Sequence, residues 1–177
     1  MPTPPSVTLE IARLAQRPVF DNLFQLYTHD FSGFWAGLPR GDVDEQGLFP
    51  AYPHLDAYWQ EEGRVPLLLR VEDKIAGFAL LNQHGHAKAH VERNMAEFFI
   101  LRKYRRGGIG TQAVNAIFEK YPGEWETAVA RKNLAALAFW RRVISSHPRV
   151  RDLQEHDLST AAWNGPVLSY RVSPVRP

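Results

Sequence analysis

The feature that most constrains the fold is a strand, a glycine-rich turn and a helix, in that order. Residues Met95 to Leu101 are apolar at almost every position, which is typical of a central strand covered on both faces. The turn Arg105-Arg106-Gly107-Gly108-Ile109-Gly110 follows. A helix is predicted next, because apolar residues recur at helical spacing at Ile109, Ala113, Ala116, Ile117 and Tyr121. The end of a buried strand therefore leads directly to a helix N-terminus.

The turn has the composition of an anion-binding site. A helix N-terminus presents unpaired backbone N–H groups and the positive end of the helix dipole. Glycines let the backbone approach a ligand without collisions at Cβ. Arg105 and Arg106 add positive charge and forked hydrogen-bond donors. The turn is therefore predicted to bind a phosphate group.

Two nucleotide-binding motifs do not fit this turn. A Walker loop ends in Gly-Lys-Ser/Thr, and no lysine follows the glycines here. A Rossmann fingerprint reads Gly-x-Gly-x-x-Gly, whereas Gly108-Ile109-Gly110 is followed by Ala113 in the last place. The turn also lies late in the chain, while the Rossmann motif follows an early strand.

The rest of the chain carries strand and helix signals in alternation. Strands are predicted at residues 7–11, 65–71, 75–81, 125–130, 150–155 and 167–172. Helices are predicted from Pro18, over 55–60, and from an Asn133 cap to about residue 145. Residues 32–53 and 82–90 are predicted to be loops. This order predicts a mixed α/β sheet with helices on both faces.

Composition narrows the classes of protein. The chain has no cysteine, which excludes disulfides, thiolate metal ligands and a cysteine nucleophile. No apolar run is long enough for a membrane helix, and the N-terminus lacks the pattern of a secretory signal. We therefore expect a cytoplasmic protein with a single domain over residues 1–177 and no membrane partner. The positive charge is densest between Arg102 and Arg106 rather than along a face, which argues against nucleic-acid binding.

The sequence resembles the GNAT superfamily of N-acetyltransferases along most of its length. Arg105-x-x-Gly108-x-Gly110 matches the Arg/Gln-x-x-Gly-x-Gly/Ala signature of these proteins. The preceding segment, Phe98 to Tyr104, looks like the strand that they place before it. Asn133-x-x-Ala136-x-x-Phe139-Trp140 resembles their second coenzyme-binding helix. The resemblance implies a mostly antiparallel, twisted sheet of about six to seven strands, and transfer of an acetyl group from acetyl-CoA to an amine.

The resemblance also implies how acetyl-CoA is bound. Backbone N–H groups from Arg106 to Thr111 would hold the pyrophosphate, and the backbone of Ile100 and Arg102 would contact the pantetheine arm. The N–H of Ile100 would polarise the thioester carbonyl. Asn133 would bind the pantetheine, cap its helix, or do both. The full predicted set is Ile100, Leu101, Arg102, Arg105, Arg106, Gly107, Gly108, Ile109, Gly110, Thr111, Asn133, Phe139 and Trp140.

Three glutamates are candidates for a general base, which is needed because an alkylamine is mostly ammonium at neutral pH. Glu97 lies among apolar neighbours, so that partial burial would raise its pKa towards neutrality. The alternative is a structural pairing of Glu97 with an arginine. Some relatives place a glutamate five residues before the asparagine, where this chain has Ala128. Glu126, two residues earlier on the same face, is the second candidate, and Glu92 is the third.

The general acid of many relatives has no counterpart here. They carry a tyrosine seven residues after the asparagine, and its hydroxyl can protonate the leaving thiolate. This chain has Trp140, whose indole N–H donates a hydrogen bond but is not a practical acid. Two functions therefore stay open: an N-acetyltransferase without this acid, and a non-catalytic module that binds or senses acyl-CoA.

The segment before residue 65 is expected to shape the acceptor pocket. Its carboxylates and aromatic rings suit a cationic amine, and the candidate contacts are Asp30, Phe31, Trp35 and Tyr58. The alternative is that the rings only pack as a second core. The expected acceptor is an amine of a small molecule or a protein, and a homodimer is one option for assembly. No metal site is predicted, because His84, His86 and His90 lack further ligands at suitable spacing.

Overall fold

The computed structural model describes residues 6–38 and 40–175. Its strands are β1 Val7–Ile11, β2 Val65–Val71, β3 Lys74–His84, β4 His90–Ile100, β5 Gly123–Ala128, β6 Val150–Ser159 and β7 Asn164–Val172. Its α-helices are α1 Arg17–Ser32, α2 Ala57–Gln60, α3 Ile109–Lys120 and α4 Leu134–Ser146. Short 3-10 turns occupy Leu14–Gln16, Gly33–Trp35 and Arg102–Tyr104. No helix in the described ranges is long and apolar enough to cross a membrane.

The strands form one seven-stranded sheet in the order β1-β2-β3-β4-β5-β7-β6. Neighbouring strands are antiparallel, with the exception of β4 and β5, which are parallel. The predicted mixed, mostly antiparallel sheet with helices on both faces is therefore confirmed. The parallel pair is short, since only Arg93 with Trp125 and Asn94 with Glu126 are in register. Beyond Asn94 the two strands diverge.

The central strands are apolar on both faces because helices cover both sides of the sheet. Leu67 packs in a cluster that includes Ile117 of α3 and residues of α4. Its neighbour Leu68 points the other way, into a cluster with Phe20 of α1. Successive side chains of a strand alternate between faces, so adjacent leucines contribute to two separate cores. Burial of each such side chain stabilises the fold by about 2 kcal/mol.

One predicted loop is wrong in its extent. The polarity of residues 82–90 predicts an exposed loop, but β3 continues to His84 and β4 begins at His90. Asn82 is buried, and its Oδ1 accepts hydrogen bonds from Asn94 Nδ2 at 2.9 Å and from the His84 N–H at 3.0 Å. Polar side chains that satisfy one another can occupy a buried strand. A pattern based on polarity alone therefore ends the strand too early.

The other elements agree with the predicted positions to within a few residues. The main differences are in β4, which begins at His90 rather than Met95, in β6, which continues to Ser159, and in β7, which begins at Asn164. The added residues of all three strands are mostly polar, and those of β7 include Gly165 and Pro166, so hydrophobic periodicity does not detect them. These two strands form the far edge of the sheet.

Candidate active site

Beyond Asn94, β4 has no paired residues on the side of β5, and this unpaired stretch at the centre of the sheet is called the gap below. Aromatic side chains lie beside it. Phe98 of β4 stacks on Phe139 of α4 with ring centroids 6.0 Å apart, and meets Trp140 edge-on at 5.2 Å. Trp140 is only 6% exposed. The gap is thus bordered by an apolar wall on the side of the sheet that α4 covers.

The backbone of Ile100 faces this gap. The N–H of the next residue, Leu101, donates to the carbonyl oxygen of Ala76 in β3 at 2.8 Å. Because successive residues of a strand direct their N–H and C=O groups to opposite sides, those of Ile100 point towards the diverged β5. Its carbonyl accepts a hydrogen bond from Arg105 Nε at 2.7 Å. The backbone contact predicted for Ile100 is therefore geometrically available.

The glycine-rich turn leads into α3, and the space around its backbone is open. Arg106 and Gly108 have positive φ angles of 66° and 79°, and Gly108 is the N-cap of α3. A Cβ added at Gly107 or Gly108 would meet no atom within 4 Å, so the space above the turn is empty. In the described part of the chain, the N–H groups of these two glycines have no acceptor. With the free N–H groups of the first helical turn, they form a cradle that suits a phosphate.

The last glycine of the turn, Gly110, permits a close approach of two helices. A Cβ at this position would lie 3.3 Å from ring atoms of Phe139. The glycine therefore allows the N-terminal turn of α3 to contact α4. This contact brings the turn next to the aromatic wall.

Arginines surround the cradle. Arg102, Arg105 and Arg106 line a cleft of about 330 Å³. Asp30, near the end of α1, accepts hydrogen bonds from Arg102 Nη2 at 2.8 Å and from Arg105 Nη2. Burial acts to raise the pKa of Asp30, but the hydrogen bonds from Arg105 and Arg102 outweigh it and lower that pKa. The charge of Asp30 is thus directed at the arginines of the glycine-rich turn, and its predicted contact with the acceptor stays a prediction.

Asn133 caps α4. Its Oδ1 accepts a hydrogen bond from the N–H of Ala136 at 3.1 Å. The capping role is thus observed, and the predicted contact with the pantetheine stays a prediction. Acetyl-CoA fits the arrangement because an open N–H cradle and an arginine-lined cleft follow directly after the unpaired end of β4.

Glu97 lies on the opposite face of β4 from Phe98, under α1. The hydroxyl of Tyr27 donates a hydrogen bond to Glu97 Oε2 at 2.7 Å. Burial raises the pKa of Glu97 from 4.5 to about 7, although hydrogen bonding by Tyr27 and Tyr52 lowers it in part. The alternative arginine partner is not seen, because no arginine in the described residues forms a salt bridge with Glu97. The group can therefore exchange a proton near neutral pH.

The two tyrosines that face Glu97 are not apparent from the sequence. Tyr27 lies seventy positions from Glu97 in the chain, and Tyr52 lies in a segment predicted only as loop. Aromatic residues at helical spacing on α1 are normally part of a core, and the ring of Tyr27 indeed packs on Phe78 and Phe99. The pattern gives no sign that its hydroxyl reaches a carboxylate.

Glu126, the second candidate base, is fully buried and its oxygens are occupied. Oε2 accepts the N–H groups of His86 and Ala87 at 2.7 and 3.2 Å, and Oε1 accepts that of Lys88 at 2.9 Å. This geometry favours a role in holding the β3–β4 loop. A catalytic Glu126 stays a prediction without a geometric argument in its favour.

Glu92, the third candidate, lies near the beginning of β4, away from the gap. Its Oε2 accepts the N–H of Glu124 at 2.6 Å. A cavity of about 480 Å³ beside it is lined by residues at the ends of β4, β5 and β7 rather than by the glycine-rich turn. Glu92 is therefore separated from the predicted cofactor site by most of the length of the strand.

The predicted acceptor residues fall into two groups. Phe31 and Trp35 belong to an aromatic cluster at the end of α1, with their ring centroids 5.4 Å apart. This cluster is tied to the β5–α4 loop by a hydrogen bond from Lys132 Nζ to the Phe34 carbonyl at 3.3 Å. Tyr58 is buried, and its hydroxyl accepts a hydrogen bond from Asn82 at 3.4 Å. Each of these side chains also has a packing role, and their contact with an acceptor stays a prediction.

The histidines do not form a metal site in the described ranges. No group of three or more His, Asp or Glu side chains there is arranged to hold a metal ion. His86 packs instead on Trp163, with ring centroids 4.5 Å apart.

The short parallel strand pair and the helix N-terminus beside it fit the fold that the resemblance to the GNAT superfamily implies. The chain belongs to the GNAT family of acetyltransferases: the family model described as "Acetyltransferase (GNAT) family" matches residues 20–144. No curated protein sequence matches the chain.

Solved structures agree with this fold. An acetyltransferase from Thermus thermophilus has a TM-score of 0.60 and 15% identity, covering 96% of this chain and 97% of its own. AAC(6')-Ib, solved with ribostamycin and coenzyme A, has a TM-score of 0.63 and 14% identity over 94% and 93% of the two chains. The yncA protein from Salmonella typhimurium, solved with acetyl-CoA, has a TM-score of 0.55 and 12% identity over 94% and 92%. At such identities the likeness shows the fold alone.

Proposed function

We propose that the protein transfers the acetyl group of acetyl-CoA to an amine, with Glu97 as the general base. The proposal rests on the position of the Glu97 carboxylate on β4, where the Tyr27 hydroxyl donates a hydrogen bond to it at 2.7 Å and burial raises its pKa to about 7. A base with a pKa near the working pH combines a useful ionised fraction with sufficient proton affinity. Acetyl-CoA supplies an activated acetyl thioester, and two structural neighbours are solved with this cofactor or with coenzyme A.

The proposed step needs two groups from the chain: a proton acceptor for the ammonium, and a hydrogen-bond donor that stabilises the oxyanion. Glu97 accepts a proton from the ammonium, which frees the nitrogen lone pair to form the C–N bond while the C–S bond breaks. The N–H of Ile100, directed towards the gap, donates to the carbonyl oxygen as negative charge develops there. A second proton leaves the nitrogen and neutralises the thiolate, directly or through water. Glu97 then returns its proton to solvent.

The leaving thiolate has no tyrosine partner in this proposal. Trp140 occupies the position of the tyrosine found in many relatives, and it packs edge-on against both Phe98 and Phe139. A thiolate is already a fair leaving group, so transfer does not depend on an acid at this position. The same substitution supports the second candidate function, a module that binds acyl-CoA without turnover.

The acceptor is proposed to be a primary amine of a small molecule or a protein. The aromatic cluster with Phe31 and Trp35 suits a cation, and the guanidinium of Arg40 already lies over the Trp35 ring, 4.3 Å from its centroid. A cationic acceptor at this ring would have to displace Arg40. A homodimer and a cytoplasmic location stay predictions.

Two measurements test the proposed function. Acetyl-CoA should raise the melting temperature by mass action, because it binds only the folded protein. Release of free thiol in the presence of a panel of primary amines should then exceed the rate without amine.

Glu97→Gln should lower the rate of thiol release roughly 100-fold or more and leave cofactor binding unchanged. Glu119→Gln, an exposed position on α3, serves as the matched control. Cofactor binding without turnover on any amine would favour the module instead.

A further inference from the structure

Tyr27 is held in place from several directions. Its ring meets Phe31 at 5.5 Å, Phe78 at 5.8 Å and Phe99 at 5.5 Å, all at steep interplanar angles. Edge-to-face contacts of this kind fix the plane of a ring as well as its position. The hydroxyl therefore points in one direction, towards Glu97 Oε2, 2.7 Å away.

The helix that carries Tyr27 is also anchored. Asp30 lies three residues later, hence on the same face of α1, and its carboxylate pairs with Arg102 and Arg105. The last turns of α1 are thus tied to β4 through Glu97 and to the following turn through the two arginines. Little freedom is left for the tyrosine hydroxyl to move away from the carboxylate.

We propose that Tyr27 is a positioning residue, whose hydroxyl aims the Glu97 carboxylate at the acceptor and stabilises its ionised form. The inference rests on the proposed function of Glu97 as the base. A hydrogen bond donated to a carboxylate favours the charged state over the neutral one, which has less need of a donor. Tyr27 therefore opposes the effect of burial on Glu97 and keeps the base usable near neutral pH.

Tyr27 can only donate in this pair. Burial and the nearby charge of Glu97 raise the pKa of Tyr27 well above its ordinary value of 10. The tyrosine therefore stays protonated throughout the pH range in which Glu97 titrates. Its contribution is a fixed O–H dipole and not a second transferable proton.

Other titratable groups face the same carboxylate from neighbouring elements. Tyr52, from the segment ahead of α2, and Tyr58, on α2, both interact with Glu97, and burial raises the pKa of each. Two cations lie over neighbouring rings: Arg64 over Tyr58, 5.2 Å from the ring centroid, and Arg105 over Phe99, 5.4 Å from the ring centroid. Both tyrosines stay neutral near pH 7, so the titration of Glu97 is not obscured by theirs.

The test is a direct titration of Glu97 by carbon NMR of protein labelled at the glutamate carboxyls. The Glu97 resonance is identified by its absence from the spectrum of Glu97→Gln. Tyr27→Phe keeps the ring and its aromatic contacts but removes the donor. We expect the pKa of Glu97 to rise by roughly one unit in this variant. The low-pH limb of the kcat/KM profile should move by the same amount, with a roughly tenfold loss at pH 6.5 that shrinks at high pH.

Tyr121→Phe is the matched control, because the Tyr121 hydroxyl is buried without a hydrogen-bond partner among the described residues. It should leave the Glu97 titration unchanged. A Glu97 titration that is the same in Tyr27→Phe as in the parent protein would overturn the proposal, as would a rate loss of equal size at every pH. The NMR reading needs no turnover, so it remains decisive even if Glu97→Gln shows that the base is elsewhere.

Discussion

The hydroxyl of Tyr27 on α1 donates a 2.7 Å hydrogen bond to Oε2 of Glu97 on β4. One helical turn further on, Asp30 pairs with Arg102 and Arg105 beside the glycine-rich turn. A single helix thus contacts both the proposed base and the arginines of the cofactor cleft. The acceptor side and the cofactor side of β4 are structurally linked through the end of α1.

The pH dependence of activity should follow the ionisation of Glu97. Because burial raises the pKa of this carboxyl to about 7, the protonated and inactive form predominates below that pH. We expect kcat/KM to rise about tenfold per pH unit below 7 and to level off above it. A profile measured with one competent amine between pH 5.5 and 9 checks this, after correction for the ionisation of the amine. A profile that stays flat below pH 7 would contradict the assignment.

The stability of the folded protein should also depend on Glu97. The carboxyl titrates near 7 in the native state and near 4.5 when unfolded. Between these values the native state binds more protons, so the free energy of unfolding falls as pH rises. The loss amounts to at most about 3 kcal/mol above pH 7. Urea denaturation at pH 5 and pH 8 should show this loss of unfolding free energy in the parent protein and a smaller loss in Glu97→Gln. An equal pH dependence of the two proteins would contradict a raised pKa at Glu97.

Asp30→Asn should strengthen the binding of acetyl-CoA. The carboxylate competes with the phosphates of the cofactor for Arg102 and Arg105, and its negative charge repels them. Removing the negative charge beside these two arginines should lower the dissociation constant of the cofactor roughly three- to tenfold at low salt. Isothermal titration with coenzyme A measures the effect.

Asp21→Asn is the matched control for this experiment. Asp21 lies on the same helix and pairs with Arg17, away from the glycine-rich turn. It should leave the affinity for coenzyme A within about twofold. Weaker binding in Asp30→Asn would show that Asp30 orients the arginines rather than competing for them.

Glu126→Gln should destabilise the fold. The glutamine amide can accept with one oxygen only, and its NH₂ group would face a backbone N–H donor. We expect a loss of about 2–4 kcal/mol in the free energy of unfolding, because a buried donor is left without a partner. Glu124→Gln, a partly exposed and ion-paired neighbour on β5, should cost less than about 1 kcal/mol. If the two variants unfold at the same urea concentration, Glu126 does not hold the loop.

The sequence alone was sufficient to predict the features that depend on local patterns. The apolar run of β4, the glycines at the start of α3 and the Asn133 cap each follow from backbone chemistry at neighbouring positions. These features also carry the resemblance to the GNAT family. The mixed sheet and the family were therefore predictable.

The features that could not be predicted depend on contacts between distant residues. Nothing in the local sequence indicates that Asp30 accepts a hydrogen bond from Arg105. Nor does it indicate that the carboxylate of Glu126 accepts hydrogen bonds from three backbone N–H groups of the β3–β4 loop. The same holds for Asn82 and Asn94, whose mutual hydrogen bond buries a polar pair in the sheet. Polarity predicts exposure only when no partner is brought close by the fold.

The most direct test of the proposed function is simultaneous measurement of thiol release and of the acetylated amine by mass spectrometry. At pH 8 we expect at least one primary amine in the panel to yield one equivalent of N-acetylated product for each thiol released. Glu97→Gln should reduce both signals roughly 100-fold or more. Bound acetyl-CoA with no acetylated product from any amine, or equal rates in the parent protein and Glu97→Gln, would contradict an amine acetyltransferase that uses Glu97 as its base.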